Sequence, residues 1–366
     1  MHFKIFIEKN APRSGCICYS RPSAGQIEES YGFIERYRRH LAEDYADLPA
    51  ACSALDSALR GLKKSGAAVN FTILMEIMCD QNFQDLPGLI YYRGRISILD
   101  YILGISGVDP APAHYACTKC FKSLAESGGD GLDLPELPCP SCSGILEGSG
   151  HGCEEELCWV GGRRPPFTLL VTERSLAQIR ESMSELKYLR SEKEGYDVIP
   201  FVISPKLEEA ERCDMKNGMI RGLFPGPLSY QYRDMARRII KSSEKLSRID
   251  AAGIDSMEKL IRLTALRFGL FDRDPGELLE DESALLTEDD VFRLIAGNGL
   301  DRDAAAAETR KIARGGYDPE RHDAFFEDRS PEGRGIRYLW TRAECVSHLY
   351  EQALIYGGSD GKQALQ

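Results

Sequence analysis

The sequence predicts an α+β fold interrupted by a small cysteine-bearing module, and three observations carry that expectation. Short apolar runs of strand character (HFKIFIE, FTLLVTE, DVIPFVIS) alternate with longer segments whose apolar residues recur at helical spacing. Residues 110–166 are rich in Pro and Gly and hold six of the twelve cysteines, with no apolar run long enough for a core. The composition, 43% hydrophobic and 28% charged over 366 residues, is that of a globular chain with apolar mass for two or three modest cores. It excludes a disordered, collagen-like or coiled-coil chain. The formal net charge of −11 speaks against a general nucleic-acid coat, although a local basic groove can coexist with it. No run approaches the roughly 18 apolar residues of a membrane span. The opening MHFKIFIEKNAPRSG lacks the apolar stretch and cleavage site of a secretory leader. A cytoplasmic protein with no membrane contact is expected.

Residues 1–30 mix the alternating run HFKIFIE with Pro, Gly and Ser, which predicts an edge strand followed by a loop. From Tyr31 the pattern is helical. Leu55, Leu59 and Leu62 fall at i, i+4 and i+7, Lys63 and Lys64 suit the negative end of a helix, and Gly66 predicts its stop. FTILMEIMC fits a buried helix or a strand equally, and ISILDYILGISG predicts a mostly buried helix. FTLLVTE predicts a strand, SLAQIRESMSELKYLR an amphipathic helix and DVIPFVIS a second strand. A Gly/Pro-rich loop, NGMIRGLFPGPLS, follows. Residues 232–248 carry six basic and two acidic side chains, whereas Glu277 to Asp290 holds seven acids and no base and reads as a solvated face. The remaining third is helical. It ends in AECVSHLYEQALIY, where Val346, Leu349, Ala353 and Tyr356 form one apolar stripe.

The cysteine module is the strongest motif. Two residues separate Cys117 from Cys120, two separate Cys139 from Cys142, and 18 residues separate the pairs. Such spacing lets each pair of thiolates face one point, and two pairs supply four soft ligands at about 2.3 Å for a tetrahedral Zn²⁺. A module this poor in apolar mass needs a metal to fold. With all four positions filled by protein, one structural zinc ion is expected. An iron–sulfur cluster and plain buried cysteines are the weaker readings. Cys153, Cys158, His114 and His151 offer either a second metal site or local packing, and packing is preferred.

The run GVDPAPAHYACTKC, then GLDLPELPCPSC, then a Gly-rich turn and His151, resembles the PolC-type bacterial replicative DNA polymerases beside their palm. Upstream, LDSALRGLKKSGAAVNFTILMEIM is similar to the helix leading into that palm. Downstream, EKLSRIDAAGIDSMEKLIRLTAL and GIRYLWTRAECVSHLYEQALIY are similar to later palm and fingers segments. The resemblance covers about residues 30–356 in order, with large internal deletions. It implies an α+β palm-like mixed sheet with flanking helices, an inserted four-cysteine zinc ribbon and a helical fingers-like region. The implied division is an N-terminal extension (1–30), a helical region leading into the palm (31–109), the ribbon (110–166), a palm-like core (167–256), the fingers-like helices (257–356) and a flexible tail (357–366).

Nucleotidyl transfer needs two divalent cations held by converging carboxylates. In the family, two of these acids lie one residue apart on a strand after the ribbon, preceded by Pro. With Pro166 matched to that proline, the acidic positions hold Phe167 and Leu169, which cannot ligate a cation. Alternate strand positions share a face, so the pair makes an apolar patch where carboxylates belong. Asp250 alone matches the third acid. Of the nucleotide-binding elements, Arg93 and Gly94 remain and Arg95 adds charge, but bulky apolar residues replace the surrounding Gly/Ser run. Lys216 and Arg221 are remnants of a basic loop in which Phe224 stands for His. The fingers element Lys-Ala-His appears as Arg342, Ala343 and Glu344, and Glu344 would set a negative charge beside a triphosphate. Asp214, Asp234 and Asp255 are nearby in sequence and the acidic run is rich in carboxylate, but such a run is normally a solvated face. Cys213, Cys345 and His348 show no nucleophile spacing, and His348 is expected on a helix surface.

These departures predict a catalytically inactive PolC-like remnant, a pseudoenzyme that binds, scaffolds or regulates in replication or elsewhere, with primer-template DNA or a protein as its partner. Arg233, Arg237, Arg238, Lys241, Lys245 and Arg248 lie at spacings that set several cations on one helical side, for phosphate contacts or for pairing with the acidic run. The alternatives are a DNA-directed DNA polymerase using Mg²⁺ on rearranged acids, and a protein-interaction module without a nucleic-acid role.

Overall fold

Two sheets and their flanking helices make up the chain. The structure, a computed structural model, describes residues 5–41, 48–79, 90–120, 122–125, 128–163, 165, 167–184, 196–207, 229–326 and 337–360. The elements run β1 (Ile5–Ala11), β2 (Ser14–Ser20), α1 (Ala24–Leu41), α2 (Pro49–Ser65), α3 (Ala68–Cys79), β3 (Ile90–Gly94) and α4 (Ile98–Ile102). A second sheet follows, of β4 (His114–Cys117), β5 (Ser123–Ala125), β6 (Leu137–Pro138) and β7 (Ile145–Ser149). The chain returns to the first sheet with β8 (Phe167–Val171), α5 (Glu173–Ser184) and β9 (Tyr196–Ile203). Then come α6 (Ser229–Lys241), α7 (Met257–Phe268), α8 (Pro275–Glu280), α9 (Glu288–Gly297), α10 (Arg302–Ala313), α11 (Pro319–Phe326) and α12 (Arg342–Asp360).

The first sheet has the order β1-β2-β9-β8-β3 and is mixed. β8 and β9 are parallel, as their helical crossover through α5 requires. The other pairings are antiparallel. β1 is an edge strand, as expected, but β2 follows it where a loop was expected. Cys16 to Tyr19 of β2 are all buried, and this burial between two flanking strands outweighs the loop character of Pro12, Ser14 and Gly15. Residues 5–30 thus supply a sheet hairpin and the start of α1. β8 lies between two strands, and Phe167, Leu169, Leu170 and Val171 are all buried, so both of its faces are covered.

Leu55, Leu59 and Leu62 of α2 are buried, and Gly66 takes the left-handed conformation (φ +66°) that ends the helix. FTILMEIMC is helical. Val69, Phe71, Ile73, Leu74 and Ile77 are all buried, and a helix covered on every side shows no stripe from which to read its period. The predicted helix ISILDYILGISG is a single turn, α4, because Gly104 at φ +69° turns the chain. Val346, Leu349 and Ala353 of α12 are buried as their stripe predicts, and α12 continues to Asp360, into the segment expected to be a tail. No helix among the described residues is long and apolar enough to cross a membrane.

The second sheet docks on the first body through a buried knot. Ser97 and Asp100 form a capping box on α4. Glu155 accepts hydrogen bonds from the Ser97 hydroxyl (2.5 Å), the Ile98 amide (2.9 Å) and the Trp159 indole (2.7 Å). Trp159 stacks on Phe71 and lies against Gly61 of α2, where a Cβ would stand 2.3 Å from the indole ring. In an exposed helix, Gly→Ala stabilises by about 1 kcal/mol. Here the sign reverses: Gly61→Ala is expected to lower the denaturation midpoint, and a midpoint equal to or above wild type would contradict the Trp159 docking.

The same knot makes stability depend on pH. Burial pushes the Asp100 carboxyl up to about 8, against the Ser97 N–H bond, with the Glu155 charge adding to the rise. Burial pushes Glu155 up to about 7. Both folded values exceed the unfolded ones, so the native state holds protons that the unfolded chain releases near about pH 4. Their stabilisation is complete below that point and is lost as pH rises through about 7 to 8. Denaturant melts from about pH 6 to about pH 9 should show falling stability, by at most about 1.4 kcal/mol per pH unit for each group. Asp100→Asn should flatten the slope; an unchanged slope would refute the assignment.

Candidate functional site

The four cysteines sit in two turns of the second sheet, whose strand order is β5-β4-β7-β6. Cys117 closes β4, Cys120 follows one turn later, and Cys139 and Cys142 lie between β6 and β7. Their Sγ atoms all lie within 4.8 Å of one another. The Cys117–Cys142 and Cys120–Cys139 separations are 3.5 and 3.8 Å. A tetrahedron with bonds of about 2.3 Å has edges of about 3.8 Å, so the set fits Zn²⁺. The amides of Lys119 and Cys120 point at the Cys117 sulfur (both 3.4 Å), and Gly144 N–H points at Cys142 (3.3 Å). The amides of Cys120 and then Lys119 hold the Cys117 thiol down at about 6, a range suited to a thiolate ligand. At Cys142 the Gly144 amide acts the same way, but burial and the thiols of Cys117, Cys120 and Cys139 push it up to about 12. A cation at their centre would relieve that crowding of negative charge. Gly144 has its own reason: a Cβ there would stand 2.9 Å from the Cys117 sulfur and 3.2 Å from the Cys142 sulfur.

The other four candidate ligands are packing residues. His151 is buried between Asp130 (2.8 Å) and the Tyr350 hydroxyl (3.0 Å). His114 meets the Pro112 carbonyl at 2.9 Å, and the Cys158 thiol donates to the Ile96 carbonyl at 3.4 Å. Burial pushes the thiols of Cys153 and Cys158 well up. Asp130 and its neighbour Asp133 hold structural positions that motif reading missed. Asp133 accepts the Met257 and Glu258 amides (2.6 and 3.0 Å), so the ribbon caps α7 from outside. Asp130 pairs with Arg342 at 3.1 Å. The one available signal was their setting in the Gly-rich turn GGDGLD, where Asp side chains habitually bond backbone amides.

Arg342, expected in a nucleotide-binding element, is buried. Its guanidinium pairs with Glu258 (2.6 Å) and Asp130, and donates to the His151 carbonyl. Glu344 caps α12 by accepting from the Thr341 amide and hydroxyl, at 2.9 and 3.0 Å. Arg95 is also buried rather than presented to solvent: it makes a two-point pair with Glu288, at 2.8 and 3.0 Å. The acidic run is accordingly not one solvated face. Glu288 and Asp289 are buried, Glu288 between Arg95 and Arg310, and Asp289 accepting the amides of Glu154 and Arg342.

Phe167 and Leu169 are placed as expected, on one face of β8. Leu169 is fully buried in register with Tyr92 and Phe201, and Phe167 stacks on Tyr92 with centroids 5.0 Å apart. Phe167 also lines a cleft of about 420 Å³ with Arg93, Gly94, Thr168, Trp340, Glu344 and His348. Arg93 is half-exposed there and meets Glu351 at 3.4 Å. His348 is packed edge-on to Phe268 and Trp340 rather than set on an open helix surface. Burial, aided by the charges of Arg267, Arg93 and Lys206, lowers it to about 4, so it is neutral at physiological pH. Cys345 is buried and its thiol pushed well up.

Asp250 is exposed and caps a short turn through the Ala252 amide at 2.9 Å. Asp234 pairs with Arg237 and Asp255 with Lys259. Among the described residues, the four cysteines are the only group of three or more His, Cys, Asp or Glu side chains whose ligand atoms converge this closely. On the basic segment, Arg237, Lys241 and Arg248 are exposed, whereas Lys245 donates to the Gly269 carbonyl at 2.7 Å. Arg233 and Arg238 are half-buried. Pro166, Cys213, Asp214, Lys216, Arg221 and Phe224 lie outside the described residues.

No family model matches the chain. It is distantly homologous over a third of its length to PolC-type DNA polymerases III. It is 31% identical to the "DNA polymerase III PolC-type" of Caldanaerobacter subterraneus subsp. tengcongensis over 128 residues, covering 33% of this chain and 9% of that protein. The Thermotoga maritima protein is 32% identical over 103 residues, or 27% of this chain and 7% of the relative. The Bacillus subtilis protein is 29% identical over 141 residues, or 36% and 10%. The matches thus span about a tenth or less of these relatives.

Elemental analysis of the purified chain should find about one zinc per molecule. Cys117→Ser should lose the metal and expose the ribbon to protease, and unchanged zinc content would contradict the ligand set.

Proposed function

We propose that this chain is a PolC-related remnant with one structural zinc ion that works by binding rather than by nucleotidyl transfer. The observation that carries the reading is the state of β8. The two positions matched to the family's paired carboxylates hold Phe167 and Leu169, both buried, and hydrocarbon cannot ligate a divalent cation. The third matched acid, Asp250, is exposed and occupied as a turn cap. One carboxylate does not hold two metal ions. The positions matched to triphosphate binding are diverted as well: Arg95 is bound to the buried Glu288 and Arg342 to the buried Asp130, and Glu344 holds the start of α12.

Phosphate contact remains open to the exposed cations of α6 and the residues after it. Arg237, Lys241 and Arg248 face solvent, and Arg93 stands at the rim of an aromatic-lined cleft. The proposed partner is primer-template DNA, held through backbone phosphates, in a cytoplasmic protein. Such contacts are sequence-independent and weaken with salt.

Primer extension with Mg²⁺ or Mn²⁺ should give no product. Robust extension that disappears in Asp250→Asn would sink the inactive reading. Filter binding to primer-template DNA should succeed near about 50 mM salt and weaken steeply above it. The double variant Arg237→Glu, Lys241→Glu should reduce the log–log salt slope by about 2. An absence of binding even at low salt would overturn the DNA partner in favour of a protein one.

A further inference from the structure

Two of the cysteines outside the ribbon lie together on β2. Cys16 and Cys18 are two residues apart on one strand, so both side chains leave the same face. Their Sγ atoms are 3.4 Å apart. The residues between and after them, Ile17 and Tyr19, point the other way into the main core, of which the two cysteines are not members. Cys16 is in register with Glu8 and Pro200, and Cys18 with Phe6 and Val198. Cys16 is 9% exposed and Cys18 3%. Water-sized reagents therefore reach the first thiol more readily than the second.

We propose that Cys16 and Cys18 form a modification site: a dithiol that closes to an intrastrand disulfide when challenged by hydrogen peroxide. The Cys16 sulfur attacks one peroxide oxygen, the O–O bond breaks, and sulfenic acid and one water result. The Cys18 sulfur then attacks the Cys16 sulfur, the S–O bond breaks, and a second water leaves as the S–S bond forms. Two thiols and one peroxide become one disulfide and two waters, so the balance closes.

The strand geometry sets the character of that bond. Two residues of strand place the Cα atoms about 6.6–6.8 Å apart. That is the upper end of the range of about 4.4–6.8 Å that a disulfide spans. Closure must shorten β2 slightly, and a strained disulfide is the more easily reduced. The couple is therefore reversible: reduced in a glutathione-rich compartment and closed only under oxidant.

Trypsin cuts after Arg13 and, because Pro22 protects the bond after Arg21, next after Arg36, which leaves both thiols in the single peptide Ser14–Arg36. Native protein would be treated with about one equivalent of hydrogen peroxide and quenched with iodoacetamide in denaturant. The expected product is that peptide about 2 Da lighter, unalkylated and restored by dithiothreitol. Protein unfolded in guanidinium before the peroxide closes as well, because the thiols stay two residues apart in the chain. Its unstrained disulfide, however, should resist reduction by glutathione better than the native one. Cys16→Ser should abolish the light species and leave Cys18 alkylated. The wild-type comparison decides the matter even where that variant fails to fold. Both thiols alkylated after Cys52 has oxidised, a sulfinic acid on Cys16, or a native disulfide no more easily reduced than that of the unfolded chain would each overturn the proposal.

Discussion

A buried guanidinium joins the parts of this molecule. Arg342, at the start of α12, pairs with Asp130 of the ribbon and with Glu258 of α7, and donates to the backbone beside His151. Burial opposes its charge, but the carboxylates of Glu258 and Asp130 outweigh that cost and keep it protonated. Asp130 is likewise held below the usual carboxylate range: burial alone would raise it, but His151 and Arg342 outweigh burial. Such a pair adds little over a well-packed apolar substitute, whereas loss of one partner leaves a buried charge uncompensated. The ribbon, α7 and the C-terminal helix are thus held in one register by groups that cannot be changed singly.

That constraint also bears on the positions matched by resemblance to the polymerase's nucleotide-binding elements. Arg95, Arg342 and Glu344 keep charge but spend it internally, on Glu288, Asp130 and the Thr341 cap respectively. β8 keeps its place between β3 and β9 while the face that carries Phe167 and Leu169 is apolar. A strand carrying two carboxylates in that position would need cations to offset burial of like charge. Phe167 and Leu169 remove the need, and the strand stands on packing alone.

Much of the framework was legible before any coordinates. The 3.6-residue spacing of Leu55, Leu59 and Leu62, the stop at Gly66, the strands FTLLVTE and DVIPFVIS and the paired cysteines all follow from local chemistry. What escaped was decided by long-range contact. β2 is a strand because β1 and β9 flank it on both sides. FTILMEIMC is a helix in which Phe71, Thr72, Ile73, Leu74 and Ile77 are all buried, so no apolar stripe shows its period. The run Glu277–Asp290 reads as a solvated face, yet Glu288 and Asp289 are buried because Arg95, Arg310 and the Arg342 amide reach them from distant parts of the chain. Asp130 and Asp133 carry no motif, and their roles exist only once the ribbon has docked.

The most direct test of the central claim is a titration of the zinc-loaded chain with Mn²⁺, following the free ion by electron paramagnetic resonance. With hydrocarbon on β8 and Asp250 committed to a turn, the free-ion signal should rise with added metal and show no saturable site tighter than about 1 mM. Saturation at about two ions per chain in the micromolar range, lost in Asp250→Asn, would show that carboxylates gather around a cation pair and would contradict the account.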